Sequence, residues 1–175
     1  HYSDDFHFAL GMLAEVPRVL GDRVQLAPPG GTNVFTTLGY VNAALELGEQ
    51  VARGECPAPD AVFVAFGSGG TAAGLALGLA LAGISATLFA VRITIPAIAR
   101  VGRLHNLVTQ CAWLLDLQEV PCVEVKVLRE FYGGYSKPIP AGTEAQRRFL
   151  EEAIELDAIY TAKSAAAALA YGKSF

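Results

Sequence analysis

The sequence predicts an α/β fold with a mostly parallel sheet and helices on both faces. Three observations support this class. Short, almost uninterrupted apolar runs alternate with segments of helix length, as they do in parallel sheets that are covered on both sides. Hydrophobic residues make up 53% of the chain and charged residues only 17%. A length of 175 residues suits one domain with a substantial core. We therefore predict a single α/β domain over residues 1–175.

The first third of the chain predicts a helix, a strand and a second helix. Apolar residues on one stripe predict a helix over 4–20, and "RVQLA" (23–27) reads as a short strand. The turn "PPGGTN" follows, in which Thr32 or Asn33 can cap a helix that runs to about Ala52. A linker, "GECPAPD", leads from this helix to the centre of the chain.

The centre and the end of the chain continue the alternation. We predict strand 61–66, helix 71–82 and strand 86–92, and then a helix from Pro96, in its first turn, to about Leu117. After these come a strand, "CVEVKVL" (122–128), an irregular loop 129–142, a charged helix 143–156 and, after a short strand or turn, a last helix.

Composition excludes several classes of protein. A net charge of -4 without a cluster of Lys and Arg gives no footprint for nucleic acid. The three cysteines are widely spaced and lack a metal-ligand pattern, which favours reduced thiols in the cytoplasm. The 31 residues between Asp60 and Arg92 carry no charge, but six glycines divide them into strand, helix and strand, so we predict no membrane span. The chain lacks a signal-peptide pattern and does not begin with Met, so it is expected to be a processed or incomplete piece.

A glycine-rich loop, "GSGGT" (67–71), joins a predicted strand to a predicted helix. Backbone N–H groups and the helix dipole converge at such a junction, and the hydroxyls of Ser68 and Thr71 add donors for an anion. A mononucleotide P-loop is excluded because the loop has no lysine. Three interpretations of the loop stay open. It could be a dinucleotide fingerprint, with Arg92 for the 2′-phosphate of NADP; it could bind the monophosphate of pyridoxal phosphate; or it could be a tight turn without a ligand.

Four motifs in order narrow these options. They are "PPGGTNVFTTLGYVNAALEL" (28–47), "GSGGTAAGL" (67–75), "YSKPIPAGTEA" (135–145) and "AIYTAKSAAAAL" (158–169). Together they resemble the D-cysteine desulfhydrase and 1-aminocyclopropane-1-carboxylate deaminase family of fold-type-II pyridoxal-phosphate enzymes, over residues 24–170. The resemblance implies a lyase or deaminase acting on a small amino acid, with pyridoxal 5'-phosphate as its cofactor. Its phosphate would be held by Gly67, Ser68, Gly69, Gly70 and Thr71.

The resemblance also assigns roles near the end of the chain. Thr161 falls at the partner of the pyridine nitrogen, where the desulfhydrases have Thr and the deaminases Glu, so it favours D-cysteine desulfhydrase-like elimination over ring opening. A neutral partner would leave that nitrogen unprotonated, which suits β-elimination. Tyr135 and Tyr160 fall at active-site tyrosines, which implies catalytic roles in polarising a leaving group or relaying a proton. Each could instead pack a loop against the core.

The reactive lysine of this family has no counterpart in the sequence. The Schiff-base lysine lies in an N-terminal section of the family that is missing here, and Lys163 matches a different family lysine. We therefore expect the chain to be part of a longer two-domain protein, inactive alone, whose family relatives are commonly homodimers. An NADP-binding oxidoreductase domain and a non-catalytic domain for phosphate esters are the alternatives.

Overall fold

A parallel three-stranded sheet forms the centre of the computed structural model, which describes residues 29–172. Its strands are β1 (Ala61–Phe66), β2 (Thr87–Arg92) and β3 (Val125–Leu128), hydrogen-bonded in the order β1-β2-β3. Phe66 lies opposite Arg92, and Val91 opposite Leu128, so the three strands end at one edge of the sheet. The predicted parallel arrangement is confirmed. The predicted helix 4–20 and strand 23–27 lie outside the described residues.

Within residues 29–172, five α-helices accompany the sheet. They are α1 (Val34–Ala52), α2 (Gly70–Leu81), α3 (Val101–Leu114), α4 (Pro140–Glu151) and α5 (Thr161–Tyr171). A short 3-10 turn, Pro29–Gly31, occupies the predicted turn. Asn33 caps α1 as predicted, because its side chain accepts from the Thr36 amide while the Thr36 hydroxyl accepts from the Asn33 amide.

The sheet buries both of its faces. Val62, Val64, Leu88 and Ala90 pack into one hydrophobic cluster with residues of α1, α2 and α3. The intervening side chains of the strands, such as Phe63 and Val91, pack into a second cluster with α4 and α5. Because successive side chains of a strand point to opposite faces, this division places helices on both sides of the sheet, as predicted.

Helix α2 lies in the middle of the larger cluster, in close contact with α1. A Cβ added at Gly74 would lie 2.5 Å from the Thr37 carbonyl oxygen, and one at Gly78 would lie 2.6 Å from the Val41 carbonyl oxygen. Glycine at these two positions lets the helix backbones approach closely. The N-terminus of α1 is thereby brought to the N-terminus of α2.

Three predicted boundaries were wrong. The helix predicted from Pro96 begins at Val101 and ends at Leu114, because residues 96–98 form a separate turn and Arg100 is extended. Strand β3 is shorter than predicted, since the Val123 amide donates to Ala76 of α2 and not to a strand. Helix α4 spans Pro140–Glu151 and not 143–156, because Pro140 occupies its first turn.

Among residues 29–172, none of the helices combines the length and the apolar character that crossing a bilayer requires.

Candidate active site

The glycine loop connects the carboxyl end of β1 to the first turn of α2. Gly69 precedes the helix with φ +100°, a conformation that favours glycine, and no side chain caps the helix. The first N–H groups of an α-helix have no partner within the helix, and they carry the positive end of its dipole. The predicted residues Gly67, Ser68, Gly69, Gly70 and Thr71 thus lie at a helix N-terminus that is able to bind an anion.

Thr32 adds a hydroxyl to this loop. Its Oγ1 lies 2.5 Å from the Ser68 Oγ, and its side chain is buried. A Cβ added at Gly70 would lie 3.1 Å from the Thr32 Cγ2, so the space beside the loop admits a glycine backbone and little more. The "GGTN" stretch therefore caps α1 through Asn33 and reaches the loop through Thr32. Sequence reasoning singled out this stretch without assigning Thr32 to the site.

Tyr135 and Tyr160 are brought together by different parts of the fold. Tyr135 lies in the loop after β3, and Tyr160 directly precedes α5. Burial, followed by the neighbouring Tyr135 phenol, raises the pKa of the Tyr160 hydroxyl. Both side chains keep nearly half of their surface exposed, 45% for Tyr135 and 46% for Tyr160. Two neighbouring phenols that solvent can reach are suited to relaying a proton.

Asp157 organises the start of α5 and was missed by the sequence analysis. Its carboxylate accepts hydrogen bonds from the amides of Ile159, Tyr160 and Thr161, at 2.7 to 2.9 Å. It also accepts one from the Thr161 hydroxyl at 2.6 Å. Partial burial favours the neutral acid, but these hydrogen bonds outweigh it and lower the pKa of Asp157 to about 2. The signal was available, since aspartate side chains commonly accept from backbone amides a few residues on, where a chain turns.

The Thr161 hydroxyl is therefore already engaged as a donor. It points its proton at Asp157, which is ionised above about pH 2, and presents oxygen lone pairs to other groups. In this arrangement Thr161 can accept a hydrogen bond while it keeps its bond to Asp157. To donate to any other group, its hydroxyl would have to break that bond.

The two groups of predicted residues share the carboxyl edge of the sheet. The glycine loop follows β1, and the loop that carries Tyr135 follows β3. Strand β2 lies between them, so the ends of β1 and β3 are two strand spacings apart, roughly 10 Å. Among residues 29–172, no hydrogen bond joins residues 67–71 to Tyr135, Tyr160 or Thr161. The carboxyl edge of an open parallel sheet is where such folds bind their ligands.

Three of the four lysines lie in the described part of the chain. Lys126 pairs with Glu124 at 3.1 Å on the surface, and Lys137 is exposed. Lys163 is buried in α5 and donates to the backbone carbonyls of Tyr132 and Gly134. Arg92, considered above for NADP, ends β2 with its guanidinium carbon 5.0 Å from the centre of the Tyr132 ring.

Comparison with known proteins identifies relatives over most of the chain. Residues 7–175 match the family model described as "Pyridoxal-phosphate dependent enzyme". A Pyrococcus horikoshii protein provisionally named 1-aminocyclopropane-1-carboxylate deaminase is 35% identical over 159 residues, which are 87% of this chain and 45% of that protein. The D-cysteine desulfhydrase of Klebsiella pneumoniae is 34% identical over 148 residues, which are 83% of this chain and 44% of that enzyme.

A solved structure agrees with these relatives. The crystal structure of an ACC deaminase homologue superposes with a TM-score of 0.76 at 26% identity, covering 97% of this chain and 50% of that one. The chain thus spans about half the length of the relatives it matches. The NADP alternative is not favoured by any of these matches. On the family match and the two sequence relatives, the chain belongs to the family of pyridoxal-phosphate dependent enzymes.

Proposed function

We propose that this chain forms the cofactor-binding part of a lyase or deaminase that acts on a small amino acid with pyridoxal 5'-phosphate. The observation that carries the proposal is the uncapped N-terminus of α2 behind the glycine loop, on the same sheet edge as the tyrosine pair. The family resemblance adds the expectation of a cytoplasmic homodimer for the complete protein.

The donor set of the loop fits a phosphate monoester. The N–H groups at the start of α2 and the hydroxyls of Ser68 and Thr71 are donors, and no acidic side chain lies within residues 67–71 to repel an anion. Thr32 contacts the Ser68 hydroxyl, and either of the two hydroxyls can be the donor in this contact. These residues would hold the phosphate.

When bound, pyridoxal phosphate supplies the electron sink for breaking a bond next to the amino group of the substrate. This chain would contribute the tyrosine pair. A tyrosine phenol is protonated at neutral pH, so Tyr160 could donate to a leaving group, with Tyr135 as its neighbour. Thr161 would face the pyridine nitrogen from the start of α5.

Thr161 also supports the choice of substrate class. The resemblance places a threonine here in the desulfhydrases and a glutamate in the deaminases, which favours β-elimination of thiol and ammonia from a D-amino acid such as D-cysteine. The relatives themselves, at 35% and 34% identity, do not separate the two activities. In the structure the Thr161 hydroxyl donates to Asp157 and keeps oxygen lone pairs for a further hydrogen bond.

Two matched glycine variants test the phosphate loop. Gly69 precedes α2 with φ +100° and Gly83 follows it with φ +71°, so alanine strains the backbone at either end of the same helix. We expect Gly69→Ala to weaken binding of pyridoxal phosphate at least tenfold, measured by equilibrium dialysis, and Gly83→Ala to leave it unchanged. Equal affinities for the parent and both variants would show that the loop does not hold the phosphate.

A further inference from the structure

Arg92 ends the central strand of the sheet, and its side chain has no hydrogen-bond acceptor among residues 29–172. The Nε atom is buried without a partner, and no carboxylate in that part of the chain forms an ion pair with the guanidinium group. A buried donor without an acceptor destabilises a protein, and the cost is greater when the donor is charged. Such a cation is suited to an acceptor that a ligand supplies.

The ring of Tyr132 supports the guanidinium group without using its donors. The guanidinium carbon lies 5.0 Å from the centre of this ring, a distance at which a cation and an aromatic ring attract each other. Lys163 contacts the same residue, since its Nζ lies 5.8 Å from the ring centre and donates to the Tyr132 carbonyl oxygen. Tyr132 is thereby tied to α5, and the N–H groups of the Arg92 side chain remain available.

Arg92 lies between the two groups of predicted site residues. Its neighbour in β1 is Phe66, which precedes the glycine loop, whereas Tyr132 belongs to the loop 129–139 that follows β3. The guanidinium group is therefore on the β3 side of the central strand. Within residues 29–172, no hydrogen bond joins it to the glycine loop. The geometry thus favours a second anion, in addition to a phosphate at the start of α2.

In the described part of the chain, the loops that follow the three strands supply no free carboxylate. Residues 67–69 and 93–100, which follow β1 and β2, contain neither Asp nor Glu. In the loop after β3, Glu130 accepts from the Tyr171 hydroxyl at 2.6 Å. Asp157, which precedes α5, accepts from three backbone amides and a hydroxyl. Both carboxylates thus have other donors, so neither neutralises the guanidinium group.

We propose that Arg92 binds the carboxylate of the amino-acid substrate and thereby selects amino acids over amines and amides that lack this group. A guanidinium group presents its N–H donors in a planar fork that matches the two oxygens of a carboxylate. The identity of this carboxylate as part of the substrate rests on the proposed function. The contact itself does not depend on the cofactor, so it can be tested in the cofactor-free chain.

The Nε–Hε resonances of the arginines, in 15N-labelled chain without cofactor, test the proposal. Arg92→Lys, in which one of these resonances disappears, assigns that of Arg92. The chain is titrated with D-alanine, which has no leaving group on its β-carbon, and with D-alaninamide, in which an amide replaces the carboxylate. Arg129, exposed in the loop after β3, is the internal control for weak attraction of anions to any surface arginine.

We expect D-alanine to shift the Arg92 resonance with saturation and D-alaninamide to leave it in place. The Arg129 resonance should show no saturable shift with either compound. The affinity for D-alanine is then followed in variants through the backbone amide resonances of residues 129–139. Arg92→Met should weaken this binding roughly tenfold or more, because it removes a charge-assisted hydrogen bond, whereas Arg129→Met should leave it unchanged.

An Arg92 resonance that does not move with D-alanine, or moves equally with D-alaninamide, would overturn the proposal. A third titration, with inorganic phosphate, separates the two kinds of anion. A saturable shift with phosphate and none with D-alanine would assign Arg92 to a phosphate and overturn the carboxylate assignment. These titrations are made in the parent chain, and if Arg92→Lys does not fold, sequential assignment through the side chain identifies the same resonance.

The outcome is distinguishable from failure of the proposed function. No cofactor is present in these samples, so a negative result leaves the Gly69→Ala experiment on the phosphate loop unaffected. Conversely, if the glycine loop does not hold pyridoxal phosphate, a saturable and carboxylate-dependent shift of the Arg92 resonance still establishes the carboxylate contact.

Discussion

Replacing Asp157 by asparagine should remove a measurable, acid-sensitive part of the stability. The carboxylate accepts three amide hydrogen bonds and one hydroxyl hydrogen bond at the start of α5. An asparagine of the same shape keeps one acceptor oxygen and loses the charge that interacts favourably with the helix dipole. We expect Asp157→Asn to be folded and less stable than the parent at neutral pH.

The magnitude follows from the shift in pKa. Lowering the Asp157 pKa from 3.8 to about 2 corresponds to a ceiling of about 2.4 kcal/mol, at 1.36 kcal/mol per unit. Asp157 is exposed, so solvent screening reduces this ceiling, and about 1 kcal/mol is the expected loss. Loss of an N-terminal helix cap by mutation costs a similar amount, about 0.5 to 2 kcal/mol.

The sign of the pH dependence distinguishes this mechanism from a loss of packing. A carboxyl group with a lowered folded-state pKa contributes stability above its unfolded pKa, and that contribution disappears as pH falls through the folded value. The parent should therefore lose its advantage over Asp157→Asn between about pH 4 and pH 2.

Urea unfolding followed by circular dichroism, at several pH values from 2 to 7, gives the difference in the free energy of unfolding. Glu144 also has a pKa of about 2, owing to Arg147 and Arg148, so the parent and the variant share that acid sensitivity and only their difference reports Asp157. Parallel stability curves for the two proteins across this range would refute the reasoning.

Two further predictions concern the core. Gly74→Ala should lower the free energy of unfolding by roughly 1 to 3 kcal/mol, because its methyl group would lie 2.5 Å from the Thr37 carbonyl oxygen. Urea unfolding measures this difference, and a variant as stable as the parent would contradict the close packing of α1 and α2. Cys111 is fully buried, whereas Cys122 is exposed, so at pH 8 an alkylating reagent should modify Cys122 in the native chain and Cys111 only after unfolding. Peptide mapping by mass spectrometry would detect native labelling of Cys111, the result that would contradict its burial.

The segment from β1 to β2 could be predicted from the sequence to within one residue. Its apolar strands and glycine loop are local signals, and the parallel arrangement follows from the alternation of strands and helices. The start of α3 was predicted wrongly because Pro96 looked like a first-turn proline, whereas the backbone turns at 96–98 and straightens again at Arg100. Pro96 can start either a helix or a turn, and only the tertiary contacts decide which of the two forms.

In the candidate site, too, contacts between residues close in sequence could be predicted, whereas contacts between distant residues could not. The role of Asp157 could have been predicted, because the amides that it binds follow it by only two to four residues. The contacts of Lys163 could not, because they join residues 29 and 31 positions apart and depend on a loop conformation set by glycines. The assignments of residues 67–71, Tyr135, Tyr160 and Thr161 to cofactor and substrate stay predictions, although the fold places them along one sheet edge.

The burial of helix α2 has a consequence for how this site could change. The glycine loop begins a helix that is packed between α1, α3 and the sheet, so its position depends on the whole core and small changes within the loop cannot easily move it. Residues 129–139, in contrast, form an irregular and largely exposed segment tied to the core at Lys163. Substitutions in residues 129–139 should therefore change this part of the sheet edge while the N-terminus of α2 keeps its position. If the proposed function is correct, altered substrate preference should be sought first in this segment.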